Sequence, residues 1–294
     1  MRKFTIRLLT FSIPAFFLLI VTITYYCISK STTDTKLNEA AKHQLILMGD
    51  SQIQRLNGAL LAENSLNLAS SAEHYYFTYQ KLLSLVEQNQ YKIEQLLLGV
   101  SIHSFAPVYN RLFDLQFPEG KKSLQRYLYF IRPLDGSSFL SNNFGVESIK
   151  FLLAGVYAKP EWGGFKESNN TNPTDTVINK TFDMHFSIKQ DEEKFSYSQQ
   201  TYLYKIDSLC SKYNIELTLI STPYHTKYID KVDPVYMEFF SETLMNLNHR
   251  NHLNFIEDSI LPNLMSDANH LNKKGAVKYA RKIQKELKIR EKSH

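Results

Sequence analysis

Serine, aspartate and histidine can together build a nucleophile, and two short stretches of this 294-residue chain supply them. The first is LILMGDSQIQ, residues 45–54, where an apolar run breaks into Gly49-Asp50-Ser51. A serine on the turn leaving a buried strand has two readings. Asp and Ser are good helix N-caps and Gly suits tight turns, so the tripeptide could be no more than the start of a helix. In the other reading Ser51 is a nucleophile held at the rim of a sheet. A serine hydroxyl is weak in that role until a base takes its proton and a third group orients the base.

The chain has nine histidines to offer as that base. Taken alone, any of them is more often a surface or structural residue than a catalyst. Only one brings its own acid: SDANHLNKKGA places Asp267 three residues before His270. On a tight loop that spacing lets the carboxylate reach one ring nitrogen while the other faces a serine. The bland alternative makes Asp267 and Asn269 polar turn residues and Asn272 the cap of the helix that follows.

Positioning such groups falls to the elements between the two stretches. Short apolar runs at residues 45–48, 66–69, 94–100, 215–221 and 253–256 alternate with amphipathic segments. The latter include a helix over QIQRLNGALLAE, one with Tyr75, Tyr79, Leu82, Leu83 and Val86 on one face, and a closing helix with a Val277, Ala280 and Ile283 stripe. That alternation predicts an α/β fold, a three-layer sandwich whose central parallel sheet is covered on both faces. Ligands bind such sheets off the carboxyl ends of the strands, and Ser51 follows the end of the first. Residues 109–197 are less regular and hold EWGGFKESNNTNPTDT, which reads as an insertion or lid over the site, or as a surface excursion with no role.

The N-terminus adds an anchor. Residues 8–28 carry no charge, long enough as a helix to cross roughly 30 Å of hydrocarbon. A cleaved signal peptide has a shorter apolar region, ~7–15 residues, ending in small residues, whereas this one ends TYYCISK. Arg2, Lys3 and Arg7 precede the span, so the positive-inside rule leaves the N-terminus in the cytoplasm and the rest outside. In a bacterium that is a single pass through the inner membrane, with the domain facing the periplasm or exterior. The expected organisation is therefore cytoplasmic N-terminus and span (1–29), juncture (30–43), domain (44–288) and tail (289–294). Cys27 lies in the span and Cys210 far beyond it, so no internal disulfide is expected.

Other chemistries find little support. There is no G-x-x-x-x-G-K-[ST] or G-x-G-x-x-G loop for phosphates. HRNH, residues 249–252, has no thiol or acid at zinc-ligand spacing, so neither a metal nor a cofactor is expected. The net charge of +5 is spread along the chain and does not point to nucleic acid.

A G-D-S after the first strand and a D-x-x-H before the last helix resemble the SGNH, or GDSL-like, hydrolase superfamily. The resemblance spans the chain beyond the anchor and implies Ser51 as nucleophile, His270 as general base and acid, and Asp267 as its orienter. It also implies an oxyanion hole from a glycine N–H and an asparagine side chain. Ser71 or Ala72 stands where that glycine is expected. Gly99-x-Ser101 replaces Gly-x-Asn, with His103 nearby as another donor. Anchored, outward-facing members resemble alginate O-acetyltransferases and the teichoic-acid D-alanylation protein. The resemblance thus implies acyl transfer, most simply of acetyl, onto a cell-surface or exported polysaccharide, with the donor delivered by a membrane-bound O-acyltransferase. His225 and Tyr228, in STPYHTKYID, would line the acceptor groove, or form a polar strand end. A carbohydrate esterase, and a non-catalytic glycan-binding or assembly protein of the same fold, are the alternatives.

Overall fold

The computed structural model describes residues 2–88, 91–131, 153–171, 173–189, 192–249 and 251–291. Among them are five strands: β1 (Leu45–Met48), β2 (Ser65–Asn67), β3 (Gln95–Gly99), β4 (Glu216–Ser221) and β5 (Asn251–Asn254). They form one all-parallel sheet in the order β2-β1-β3-β4-β5. The expected α/β fold is the one observed.

Period-two alternation divides the strands between two cores. Ile46, Met48, Leu96, Leu98, Leu217 and Leu219 point into one, Leu45, Leu47, Leu97, Ile220 and Leu253 into the other. The first core is covered by α1 (Arg2–Ala40), α3 (Tyr75–Val86) and α7 (Tyr197–Lys212). The second is covered by α10 (Lys273–Glu291) and the chain that follows the short helix α2 (Ser51–Gln54). Helices, sheet and helix make the three layers.

Several boundaries moved, each for a local reason. β2 and β5 end earlier than their apolar runs because an asparagine turns the chain. Asn67 Oδ1 accepts from Ala69 N at 2.9 Å and Asn254 Oδ1 from Ile256 N at 3.0 Å. The helix expected over residues 52–63 stops at Gln54, since Asn57 caps a separate 3-10 turn, Gly58–Leu60. α3 is buried on nearly every side, Gln80 and Lys81 included, rather than on one stripe. On α10 the buried line is Ala276, Tyr279, Ala280, Ile283 and Leu287, with Val277 half-buried at its flank.

The middle of the chain is more helical than expected. α4 (Val108–Phe113), α5 (Pro118–Tyr127) and α6 (Asp175–Phe186) precede α7. After β4 come α8 (Thr226–Ile229) and α9 (Pro234–Met245). Part of the expected lid, residues 132–152, lies outside the described residues.

α1 is long and apolar enough to cross a membrane, with most side chains from Ile13 to Ile28 exposed and Thr22 and Tyr26 half-buried. The expected juncture is not a break, because the helix runs unbroken to Ala40 and buries Thr33, Leu37 and Ala40 in the domain. Back from Ala40 the helix passes Lys36, whose ammonium lies 5.7 Å from the Trp162 ring centroid, and the glycines that follow Trp162 pack on Leu68 and Ala69 just past the end of β2. The apolar part of α1 therefore leaves from the carboxyl edge of the sheet. There Tyr26 stacks on Tyr129, 5.5 Å between ring centroids, and Thr22 hydrogen-bonds Tyr157 at 2.7 Å. Ser51 lies at the same edge.

Candidate active site

Two glycines create the room above β1. Gly49 has φ +127°, a conformation that L side chains rarely adopt, and a Cβ there would stand 3.0 Å from Gly99 N. A Cβ on Gly99 would meet Ile53 Cγ1 at 2.2 Å. The pair lets α2 sit directly on the ends of β1 and β3. Asp50 caps it, its Oδ1 accepting from Gln52 N at 2.9 Å. Because Asp50 does the capping, the Ser51 hydroxyl is left free for another partner.

That partner is His270. Its Nε2 lies 2.6 Å from Ser51 Oγ, and its Nδ1 lies 2.8 and 2.9 Å from the two oxygens of Asp267. The carboxylate fixes the tautomer: Nδ1 carries the hydrogen and Nε2 accepts from the serine. Asp267 also accepts from the backbone N–H of Asn269 at 3.1 Å and of His270 at 2.9 Å, which winds the loop around it. Burial works to raise the Asp267 carboxyl, but His270 and these N–H groups outweigh it and hold the group below its ordinary value. Asn272 caps α10, accepting from Gly275 N at 3.1 Å. The turn-residue reading of this stretch thus holds alongside the triad geometry.

The remaining sequence-picked residues surround this group in different ways. Ser71 rests on α2, its hydroxyl donating to Gln54 Oε1 at 2.7 Å, and Arg126 grips its carbonyl with two N–H groups at 3.3 Å. Ala72 takes φ +55°, the left-handed conformation that a glycine would hold more easily. Gly99 gives its carbonyl to Tyr75 OH at 2.9 Å.

Ser101 and His103, expected as oxyanion donors, are turned inward instead. Buried Ser101 donates its hydroxyl to Gln52 Oε1 at 2.7 Å. His103 Nε2 faces Asp50 Oδ2 at 3.3 Å and Nδ1 meets Tyr224 OH at 3.0 Å, so both nitrogens are committed beneath the site. His185 stacks on the ring, centroids 4.3 Å apart. His225 caps α8 with its ring, and its backbone N–H donates to Ala268 O at 2.9 Å. It braces the Asp267–His270 loop rather than lining a groove, and Tyr228 is buried against His185.

Asp50 is the residue that sequence reasoning undervalued. It is buried and accepts from Gln52, His103 and Tyr109. Burial pushes its carboxyl up, yet His103 and the Gln52 N–H prevail and leave it below its ordinary value. The ionised Asp50 ties the serine turn to the core. Its place beside Ser51 was the available signal. Arg126 gave none, because a residue 75 positions from Ser51 finds the site only through α5.

The segment around Trp162 forms a strap along this edge. Gly164 N donates to Ala69 O at 2.9 Å, Lys166 N to Gln54 O at 2.9 Å, and Lys273 N to Ser168 O at 2.7 Å. Gly163, at φ +79°, passes so close to Leu68 that a Cβ would fall 2.3 Å from its carbonyl oxygen. The strap links the loop after β2, α2 and the start of α10. It borders the triad; the segment expected as a lid is in this part a brace.

No protein-family model and no curated protein matches the chain. Among solved structures it is similar to one from Streptococcus pneumonia, provisionally named a platelet activating factor. Identity is 10%, the TM-score is 0.41, and the overlap covers 90% of this chain and 96% of that one. So distant a likeness bears on neither activity nor substrate, and the chemistry has to be argued from Ser51, His270 and Asp267 themselves.

Proposed function

We propose that the chain is a membrane-anchored acyl-serine enzyme of the SGNH/GDSL-like type, acting on a cell-surface glycan and most simply transferring an O-acetyl group. The observation that carries this is the Ser51–His270–Asp267 relay, with Ser51 relieved of capping by Asp50. His270 Nε2 takes the Ser51 proton as Oγ attacks the carbonyl carbon of an acyl ester. The oxyanion is held by backbone N–H groups near Ser51 and Ser71. His270 then returns the proton to the leaving alkoxide, leaving an acyl group on Ser51. An acceptor hydroxyl, deprotonated in turn by His270, takes the acyl group and frees the serine; water in its place would make the enzyme an esterase.

The basic residues ahead of the span support an N-terminus in the cytoplasm, with the domain on the outer face of a bacterial inner membrane. Since the apolar part of α1 leaves from the edge that bears Ser51, that edge faces the bilayer. An acyl donor delivered there by a membrane-bound O-acyltransferase would meet the serine directly.

Incubation with p-nitrophenyl acetate followed by intact-mass measurement tests the reading. A gain of one acetyl group, mapped to Ser51 and absent from Ser51→Ala, is the expected result. Retention of normal surface acylation in cells carrying only Ser51→Ala would overturn it.

A further inference from the structure

Ser51 Oγ and His270 Nε2 meet at 2.6 Å although 219 residues separate them in the chain. Misplacing such a contact by about 1 Å can cost ~10²-fold in rate. The hydrogen bond cannot guard its own length, because it is broken each time the proton moves. Another contact has to hold the serine turn and the histidine loop in register.

Three consecutive carbonyls carry the histidine loop. Ala268 O accepts from His225 N at 2.9 Å and His270 O from Ser266 N at 2.8 Å, and neither partner belongs to the serine turn. Between them, Asn269 O accepts from the side chain of Gln52, Nε2 at 3.0 Å. Gln52 follows Ser51 in the chain and Asn269 precedes His270. Among the described residues this is the one hydrogen bond, besides Ser51–His270 itself, that ties α2 to residues 266–270.

Gln52 is fixed for that reach at both ends. Its backbone N–H is taken by Asp50 Oδ1 at 2.9 Å, which sets the root of the side chain. The residue is 2% exposed, so its amide is shielded from solvent. Oε1 accepts from Ser101 Oγ at 2.7 Å and leaves Nε2 for the loop. The reverse orientation would set Oε1 against the Asn269 carbonyl, two acceptors with no proton between them. The carbonyl therefore dictates the orientation, and Ser101 follows it.

Asn269 has no second hold of this kind. It is buried, and neither polar atom of its side chain has a partner. Its backbone N–H meets Asp267 Oδ1 at 3.1 Å, a contact within the loop. Without Gln52 a buried carbonyl next to the base would lose its donor, and the loop would lose its tie to the serine turn.

We propose that Gln52 is a positioning residue: through Asn269 O it holds the His270 ring in line with the Ser51 hydroxyl. It acts through His270 and not on the reacting atoms. The catalytic consequence rests on the acyl-serine reading; the hold on the ring does not.

The test compares Gln52→Met, which keeps the length of the side chain and removes its donor, with the unmutated full-length protein in nanodiscs. One readout is p-nitrophenyl acetate hydrolysis. The other is the ring-proton resonance of His270 Nδ1–H in protein carrying isotope-labelled histidine, assigned by its loss in His270→Ala. kcat should fall about ten- to a hundredfold with KM within about twofold, because the hold is on the base and not on substrate. In a His270→Ala background the same substitution should change the residual rate by less than about twofold. The Nδ1–H resonance should broaden as the loosened loop admits water. Gln52→Asn keeps the polarity but is one methylene too short to reach Asn269 O. It should show the same losses and stays informative should Gln52→Met fail to fold. An unchanged kcat, an equal loss in the His270→Ala background, or an unaltered resonance would each overturn the inference. No acetyl adduct on Ser51 in the unmutated protein, with the resonance still broadened in Gln52→Met, would sink the enzyme reading and leave the hold on His270 standing.

Discussion

Two aspartate–histidine pairs stand at the carboxyl edge of the sheet, built from the same residue types and put to opposite uses. Asp267 and His270 meet at 2.8 Å, with side chains 28% and 17% exposed. Asp50 and His103 meet at 3.3 Å, with side chains 4% and 2% exposed. Each imidazole has a carboxylate on one nitrogen. They differ at the second nitrogen, which reaches a reachable serine in His270 and the buried phenol of Tyr224 in His103. A histidine becomes a base when one nitrogen remains for a nucleophile that substrate can approach. Closed at both ends, the same ring becomes part of the frame.

The comparison breaks first at activity. Ser51→Ala and His270→Ala should each lower p-nitrophenyl acetate hydrolysis by about 10³-fold or more, and the double variant hardly further, because the residues act as a unit. Asp267→Asn should fall no lower than these. Initial rates on purified protein check the series, and a losing triad member that keeps wild-type rates would equate the two pairs.

Stability should show the reverse pattern. His103→Ala leaves a buried carboxylate without its main partner and should cost about 3 kcal/mol. His270→Ala, on a partly open loop, should cost under about 1 kcal/mol. Urea midpoints for the two variants give the contrast directly; a larger loss for His270→Ala would place the frame in the wrong pair.

Acid should loosen the frame next. Burial holds His74 down to about 3 and His185 well below its ordinary value, so the folded chain keeps both rings neutral. The unfolded chain protonates them near pH 6.5, so stability is greatest above that value and declines as pH falls toward the folded values. Each such ring contributes a slope of up to about 1.4 kcal/mol per pH unit. Asp50 adds a loss in the same direction only below about 3.8, where the unfolded carboxyl takes its proton first. Denaturation curves at pH 7.5 and 5.0 should separate in wild type and by a smaller amount in His74→Gln, where His185 supplies what remains.

The smallest effect belongs to Ser101. With its hydroxyl given to Gln52, Ser101→Ala should change the hydrolysis rate by less than about threefold, whereas loss of an oxyanion donor costs about 10²–10³. A drop of the larger size would mean that the hydroxyl turns outward when substrate binds.

The layered α/β fold, the apolar span, and the G-D-S turn and the D-x-x-H loop as separate motifs were legible in the sequence. They depend on periodicity and on groups three or fewer residues apart, which are local quantities; that Ser51 meets His270 across 219 residues was only implied by the resemblance. Asp267 reaches His270 within a single loop, and Gly49 with Asp50 shapes the Ser51 turn within three residues. The direction in which a side chain points at a strand end was not legible. Ser101 and His103 have the right types at the right place, yet Gln52, Asp50 and Tyr224 draw them under α2. Nor could spacing reveal Arg126 on Ser71 or the strap across Gln54 and Lys273, since those contacts join segments brought together only by packing. The sequence determined which residues could do chemistry at this edge. Which imidazole kept a nitrogen free was decided by burial, because only the folded core can withdraw a polar group from solvent and commit it to a fixed partner.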